Sequence, residues 1–105
     1  MYKSKVSDGK LVVDKPGLKG YVIYSKDTAH AAVVELERDS VLPEHKTPVD
    51  VLMLVLEGNG IINIGEHDYE VSKDDVIDSP KMIPHGIKNT GDGTLRVLVV
   101  KAPRP

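Results

Sequence analysis

Apolar positions in this chain come in short runs rather than in helical stripes. The segments GYVIYS, HAAVVELE, VLMLVLE, GIINIG, HDYEV, DVIDS, HGIKN and TLRVLVVK are rich in Val, Ile, Leu and Tyr, and Gly, Pro, Asn or Asp separate them. That is the pattern of β-strands joined by turns. No stretch of ten or more residues keeps a 3.6-residue apolar period free of glycine or proline, so a substantial helix is not expected. The spacing predicts an all-β sandwich or barrel. A length of 105 residues suits one compact domain, residues 1–105, and is too short for two. EGNG (Glu57–Gly60) offers residues that tolerate positive φ and predicts a hairpin between VLMLVL and IINI, and a second hairpin is predicted around Gly65 and Glu66.

Neighbouring residues of a strand point to opposite faces. In VLMLVLE one face carries Val51, Met53 and Val55 and the other Leu52, Leu54 and Leu56. Both faces are apolar, so both should be covered. One small barrel buries only its inner face, and the outer leucines therefore predict a second layer or a second subunit, which favours a homodimer. Met53 and Val55 are expected to form an apolar pocket floor. His30 shares parity with Ala32, Val34 and Leu36, which makes it a barrel-lining or rim histidine with a hydrogen-bond partner. His67, beside a turn, is expected at the surface. Glu35, Glu37 and Arg38 read as an exposed strand end, and Tyr21 and Tyr24 as ordinary strand residues.

Composition narrows the chemistry. Charged residues make up 29% and the net charge is −2, so there is no basic field to hold nucleic acid or an anionic membrane. The longest apolar run, VLMLVL, is far short of the ~20 residues of a membrane helix, and the N-terminal MYKSKVSDGK has no secretory apolar segment. The expected location is the cytoplasm. With no cysteine and four histidines, there is no disulfide and no thiolate, and any metal chemistry must rest on histidine and carboxylate.

Two segments concentrate that chemistry. PEHKTPVDVLMLVLEGNG runs from Pro43 to Gly60, and DDVIDSPKMIPHGIKN from Asp74 to Asn89. Together they resemble the two signature motifs of the cupin superfamily. In the second, Pro80, His85 and Asn89 stand in register, while Asp74 and Met82 occupy positions where that family usually has glycine. In the first, His45 takes the first histidine position and Gly58 the closing glycine, but Thr47 stands at the second histidine position and Val51 at the glutamate position. The resemblance implies an antiparallel jelly-roll β-barrel, commonly dimeric, with the site inside the barrel mouth. It also implies that two of four usual metal ligands are absent. Fold membership settles no reaction.

A catalytic first-row metal usually needs about three protein ligands and an open position. His45 and His85 supply two. Asp50 is the nearest carboxylate and would complete a set for Fe, Mn, Zn or Ni, but it lies one residue from the in-register position, and only a bulge or loop would turn it inward. Thr47, Val51, Met53 and Val55 complete the expected pocket. Three functions remain open: an enzyme using a weakly held divalent metal or His45 and His85 as acid and base, a metal-free binding or sensing module for a small molecule, and a structural dimeric barrel. No phosphate-cradling glycine loop or nucleotide fingerprint identifies a substrate.

Overall fold

The computed structural model describes residues 2–105. A 3₁₀ turn at Val6–Asp8 precedes ten strands: β1 (Lys10–Lys15), β2 (Leu18–Lys26), β3 (Ala29–Leu36), β4 (Val41–His45), β5 (Asp50–Glu57), β6 (Asn59–Ile64), β7 (His67–Ser72), β8 (Val76–Ser79), β9 (His85–Asn89) and β10 (Leu95–Ala102). Among the described residues no helix is long and apolar enough to cross a membrane. Every strand expected from the apolar runs is present. Two more, β1 and β4, were not legible, because KLVVDK is flanked by lysines and VLPEH carries a proline and two polar residues.

The strands form two antiparallel sheets, one of six in the order β1-β2-β3-β10-β5-β8 and one of four in the order β4-β9-β6-β7. The jelly-roll expectation holds, with one refinement: the two sheets face each other without closing into a continuous hydrogen-bonded barrel. The hairpin expected at EGNG is corrected as well. β5 pairs with β10 and β8, and β6 with β7 and β9, so the turn carries the chain from one sheet to the other. Gly58 makes that corner at φ 90°, where a Cβ would lie 2.5 Å from the Thr94 carbonyl oxygen. The hairpin expected around Gly65 does join β6 to β7, with Gly65 at φ 59°.

The core lies between the sheets. Leu36, Met53, Val55, Ile62, Leu95 and Val97 are almost fully buried there, each contributing roughly 1.5–3 kcal/mol relative to exposure. The inner face of the larger sheet is graded along its strands. At one end the register Leu18–Leu36–Leu95 is wholly apolar, whereas at the other the register His30–Lys101–Val51–Ser79 is mostly polar. The outer face of this sheet carries the second leucine set: Leu52 is exposed and Leu54 and Leu56 are half-buried.

Two positions where the sequence departs from the family's glycines keep the glycine-like backbone. Asp74 has φ 75° and Met82 φ 64°, the left-handed region that disfavours most side chains. Hydrogen bonds hold both: Asp74 N–H donates to the Val55 carbonyl at 2.9 Å and Met82 N–H to the Thr47 carbonyl at 2.8 Å. Asn89 pins the turn into β10. Its buried amide donates to the carbonyls of Leu36 and Gly93 at 2.9 and 2.8 Å, and its oxygen accepts from Gly91 N–H at 3.0 Å. Glu35 is not the freely exposed residue expected, since it is half-buried and paired with Arg96 at 2.9 Å.

Candidate functional site: a histidine pair at the polar end of the sandwich

His85 opens β9 and His45 closes β4, and the two are register partners. What turns His45 inward is an irregularity. Leu42 pairs with Ile87 and His45 with His85, so three steps along β4 match two along β9. This is a β-bulge, an extra residue in one strand of the pair. Leu42 and Ile87 face the core, and strict alternation would send Glu44 inward and His45 outward. The extra residue reverses this. Glu44 lies on the outer side, where its carboxylate accepts from the Asn63 side-chain amide at 2.6 Å. Pro43 suits such a place, having no N–H to lose from the ladder.

The imidazoles meet edge to face with centroids 4.5 Å apart and planes at 80°. Their Nε2 atoms are 3.2 Å apart. The partners of the remaining ring nitrogens fix the direction of the hydrogen bonds in the neutral pair. His45 Nδ1 lies 3.1 Å from the Pro43 carbonyl, which only accepts, so His45 carries its proton on Nδ1. Its Nε2 is then a lone pair, and His85 Nε2–H donates to it. That leaves His85 Nδ1 to accept from the Ser79 hydroxyl at 2.8 Å. The chain therefore runs Ser79 to His85 to His45 to Pro43. Thr47 adds a long contact of 3.5 Å from its hydroxyl to His85 Nε2. Among the described residues no buried side-chain nitrogen or oxygen lacks a partner.

His85 is only 2% exposed. Burial, then His45, then Lys101 lower its pKa to about 4, so it is neutral at pH 7. His30 is lowered as well, first by burial and then by Lys101 and Arg104, and its Nδ1 lies 3.2 Å from the Ser25 hydroxyl. A cavity of about 180 Å³ lies against this cluster. His30, His45, His85 and Lys101 form its polar end, and Val34, Met53, Ile87 and Val99 are among its apolar walls.

The structure sorts the expected site residues. His45 and His85 come together, Thr47 is buried beside them, and Met53 lines the cavity. Thr47 reaches the pair from the loop after β4 rather than from the same strand. Val51 and Val55 are buried in the core and line no wall of the cavity. Asp50 does not join the pair: it begins β5, is exposed, and its Oδ1 accepts from Lys81 N–H at 3.0 Å. His67 is at the surface. His30 lines the cavity with Ser25 as its hydrogen-bond partner, as its parity predicted, and two contributors were not foreseen, Ser79 and Lys101. Lys101 had a legible signal, because it shares parity with the inward Leu95, Val97 and Val99.

The metal implied by the motif resemblance meets a donor set that does not fit it. Two ring nitrogens 3.2 Å apart are close enough for one ion, but Thr47 and Val51 stand where two further ligands would be. Among the described residues no three His, Cys, Asp or Glu side chains are grouped to hold a metal. The count falls below the three protein ligands of a catalytic site. A pair of imidazoles can still bind polar groups through its ring nitrogens.

Two facing antiparallel sheets with a histidine-bearing cavity between them define a double-stranded β-helix. A family profile for the cupin domain matches residues 32–101, and the chain belongs to that family. It is 31% identical over 78 residues to an uncharacterised protein of Methanocaldococcus jannaschii, an alignment that spans 74% of this chain and 62% of the relative. Its fold matches an RmlC-like cupin from Shewanella frigidimarina with TM-score 0.86 at 14% identity, covering 99% of this chain and 92% of the other. It also matches the polyketide cyclase RemF from Streptomyces resistomycificus with TM-score 0.83 at 23% identity, covering 99% and 80%. Those two likenesses are likenesses of fold.

The depressed His85 pKa predicts a pH dependence of stability. Its folded value, about 4, lies below the ordinary 6.5, so the unfolded chain binds more protons between those limits and stability is lost as pH falls through that window. The loss specific to His85 between pH 7 and pH 4.5 should be about 2 kcal/mol. Urea unfolding of wild type and His85→Asn at both pH values measures it, because the carboxylates titrate in both proteins. A wild type that loses no more stability than the variant contradicts the assignment.

Proposed function

We propose that this cupin binds a small molecule in the cavity beside His45 and His85, contacting it through the imidazoles themselves rather than through a resident metal. The observation that supports this reading is the hydrogen-bond chain Ser79–His85–His45–Pro43, which uses every ring nitrogen of the pair within the protein. The two nearby carboxylates are held elsewhere, Glu44 by Asn63 and Asp50 by the Lys81 backbone. A divalent ion would find two nitrogens and would be held weakly. The fold leaves any reaction open, since it hosts many activities.

Melting curves across a panel of small metabolites, with and without EDTA, test the reading. A true ligand at ~100 times its dissociation constant adds ~2.7 kcal/mol, and the stabilisation should survive the chelator. Stabilisation that appears only when Mn²⁺, Zn²⁺ or Ni²⁺ is restored would contradict it.

The working form we propose is a homodimer joined through the outer face of the larger sheet. Leu52 is 44% and Val76 61% exposed there, beside half-buried Leu54 and Leu56, and a contiguous apolar surface of this kind favours association. Light scattering should give twice the chain mass at micromolar concentration, reduced to one chain mass by Leu52→Glu. A monomeric wild type would refute the dimer.

A further inference from the structure

We infer that the cavity selects a small monocarboxylate, its carboxylate meeting Lys101 at the polar end and its short apolar tail lying against Val34, Met53, Ile87 and Val99. The inference rests on the proposed function and adds the chemical class of ligand.

The charge pattern leads to it. Lys101 sits on the inner face of the larger sheet, in register with His30 on one side and Val51 on the other, and it lines the cavity. It is half-buried, and the ion pairs among the described residues do not include it. A lysine that lines the cavity without a counter-charge among the described residues gives an arriving anion a charged partner. Among the described residues no carboxylate lines the cavity. The bulge in β4 keeps Glu44 on the outer side, and the Lys81 N–H holds Asp50. The polar end thus holds one cation and three imidazoles, with no competing anion.

Size and donor type narrow the class. A volume near 180 Å³ is close to the ~150 Å³ cavity that admits benzene, which suits a small ligand of the size of isovalerate. The nearest guanidinium, that of Arg104, is bound to Asp27 at 2.9 Å. One ammonium without an arginine fork or a backbone nest matches a singly charged carboxylate better than a phosphate. The mostly aliphatic walls match an alkyl chain better than a second polar group.

The test compares isovalerate with isovaleramide, which has nearly the same shape and no charge, by calorimetry in EDTA at pH 7 and by ¹H–¹⁵N shifts of the histidine rings. Isovalerate should bind at least about tenfold more tightly than the amide and should perturb His45 and His85. Lys101→Met should remove that preference and Lys101→Arg should keep it, with the spectra of both variants confirming the fold. Equal binding of acid and amide, or unchanged selectivity in Lys101→Met, overturns the carboxylate inference and leaves the metal-free cavity standing. If neither probe binds, nor propionate or butyrate with their amides, the cavity reading and this inference fail together.

Discussion

The site depends on one extra residue. The bulge between Leu42 and His45 decides which of two adjacent side chains, Glu44 or His45, faces His85. A regular β4 would place a carboxylate opposite His85, and the cavity would acquire the acid–histidine chemistry of a metal site. With the bulge, an imidazole meets an imidazole, and the carboxylate goes to Asn63 on the outside. The choice is stabilised on both sides of the strand, by the inward hydrogen-bond chain and by the outward amide contact. Breaking either leaves a partly desolvated polar group unpaired.

The rest of the fold holds that arrangement in place. The interior is graded, from the close-packed Leu18, Leu36 and Leu95 at one end to His30, Lys101 and Ser79 at the other. The apolar end supplies the burial that holds the sheets together, and the polar end carries the groups that burial penalises. Each of those groups has an answer in the structure: Ser79 satisfies His85, Pro43 satisfies His45, and Ser25 satisfies His30. Lys101 is the exception, and the carboxylate inference begins there. The ligand positions lost from the family's first motif fit this picture. Thr47 keeps a hydroxyl near His85, while Val51 extends the core.

Much of this was legible before any coordinates. Alternation in VLMLVLE separated inner from outer residues, and the PHGIKN segment located His85 and Asn89, which pins a turn. The departures at Asp74 and Met82 fall in turns, whose positive φ non-glycine residues tolerate at a cost. Other features depend on tertiary register. EGNG has hairpin chemistry, yet its strands join different sheets, and local residue preference carries no information about that. The position of Thr47 and the inward turn of His45 depend on a bulge between Leu42 and His45, which strict two-residue alternation cannot express. Lys101 has the parity of the inward residues of β10, but a lysine at a strand end usually carries its ammonium to solvent, so parity alone does not assign it to the cavity.

The central claim is that His45 and His85 hydrogen-bond to each other and to the protein, the arrangement on which the proposal of metal-free binding rests. Long-range ¹H–¹⁵N correlation of the histidine rings at pH 7, recorded before and after EDTA, tests it most directly, because it reports which ring nitrogen carries the proton. The account predicts His85 protonated on Nε2 and bare on Nδ1, His45 protonated on Nδ1, and no change on adding the chelator. A His85 protonated on Nδ1 with its Nε2 shifted by a metal that EDTA removes, or a doubly protonated His85, would contradict it.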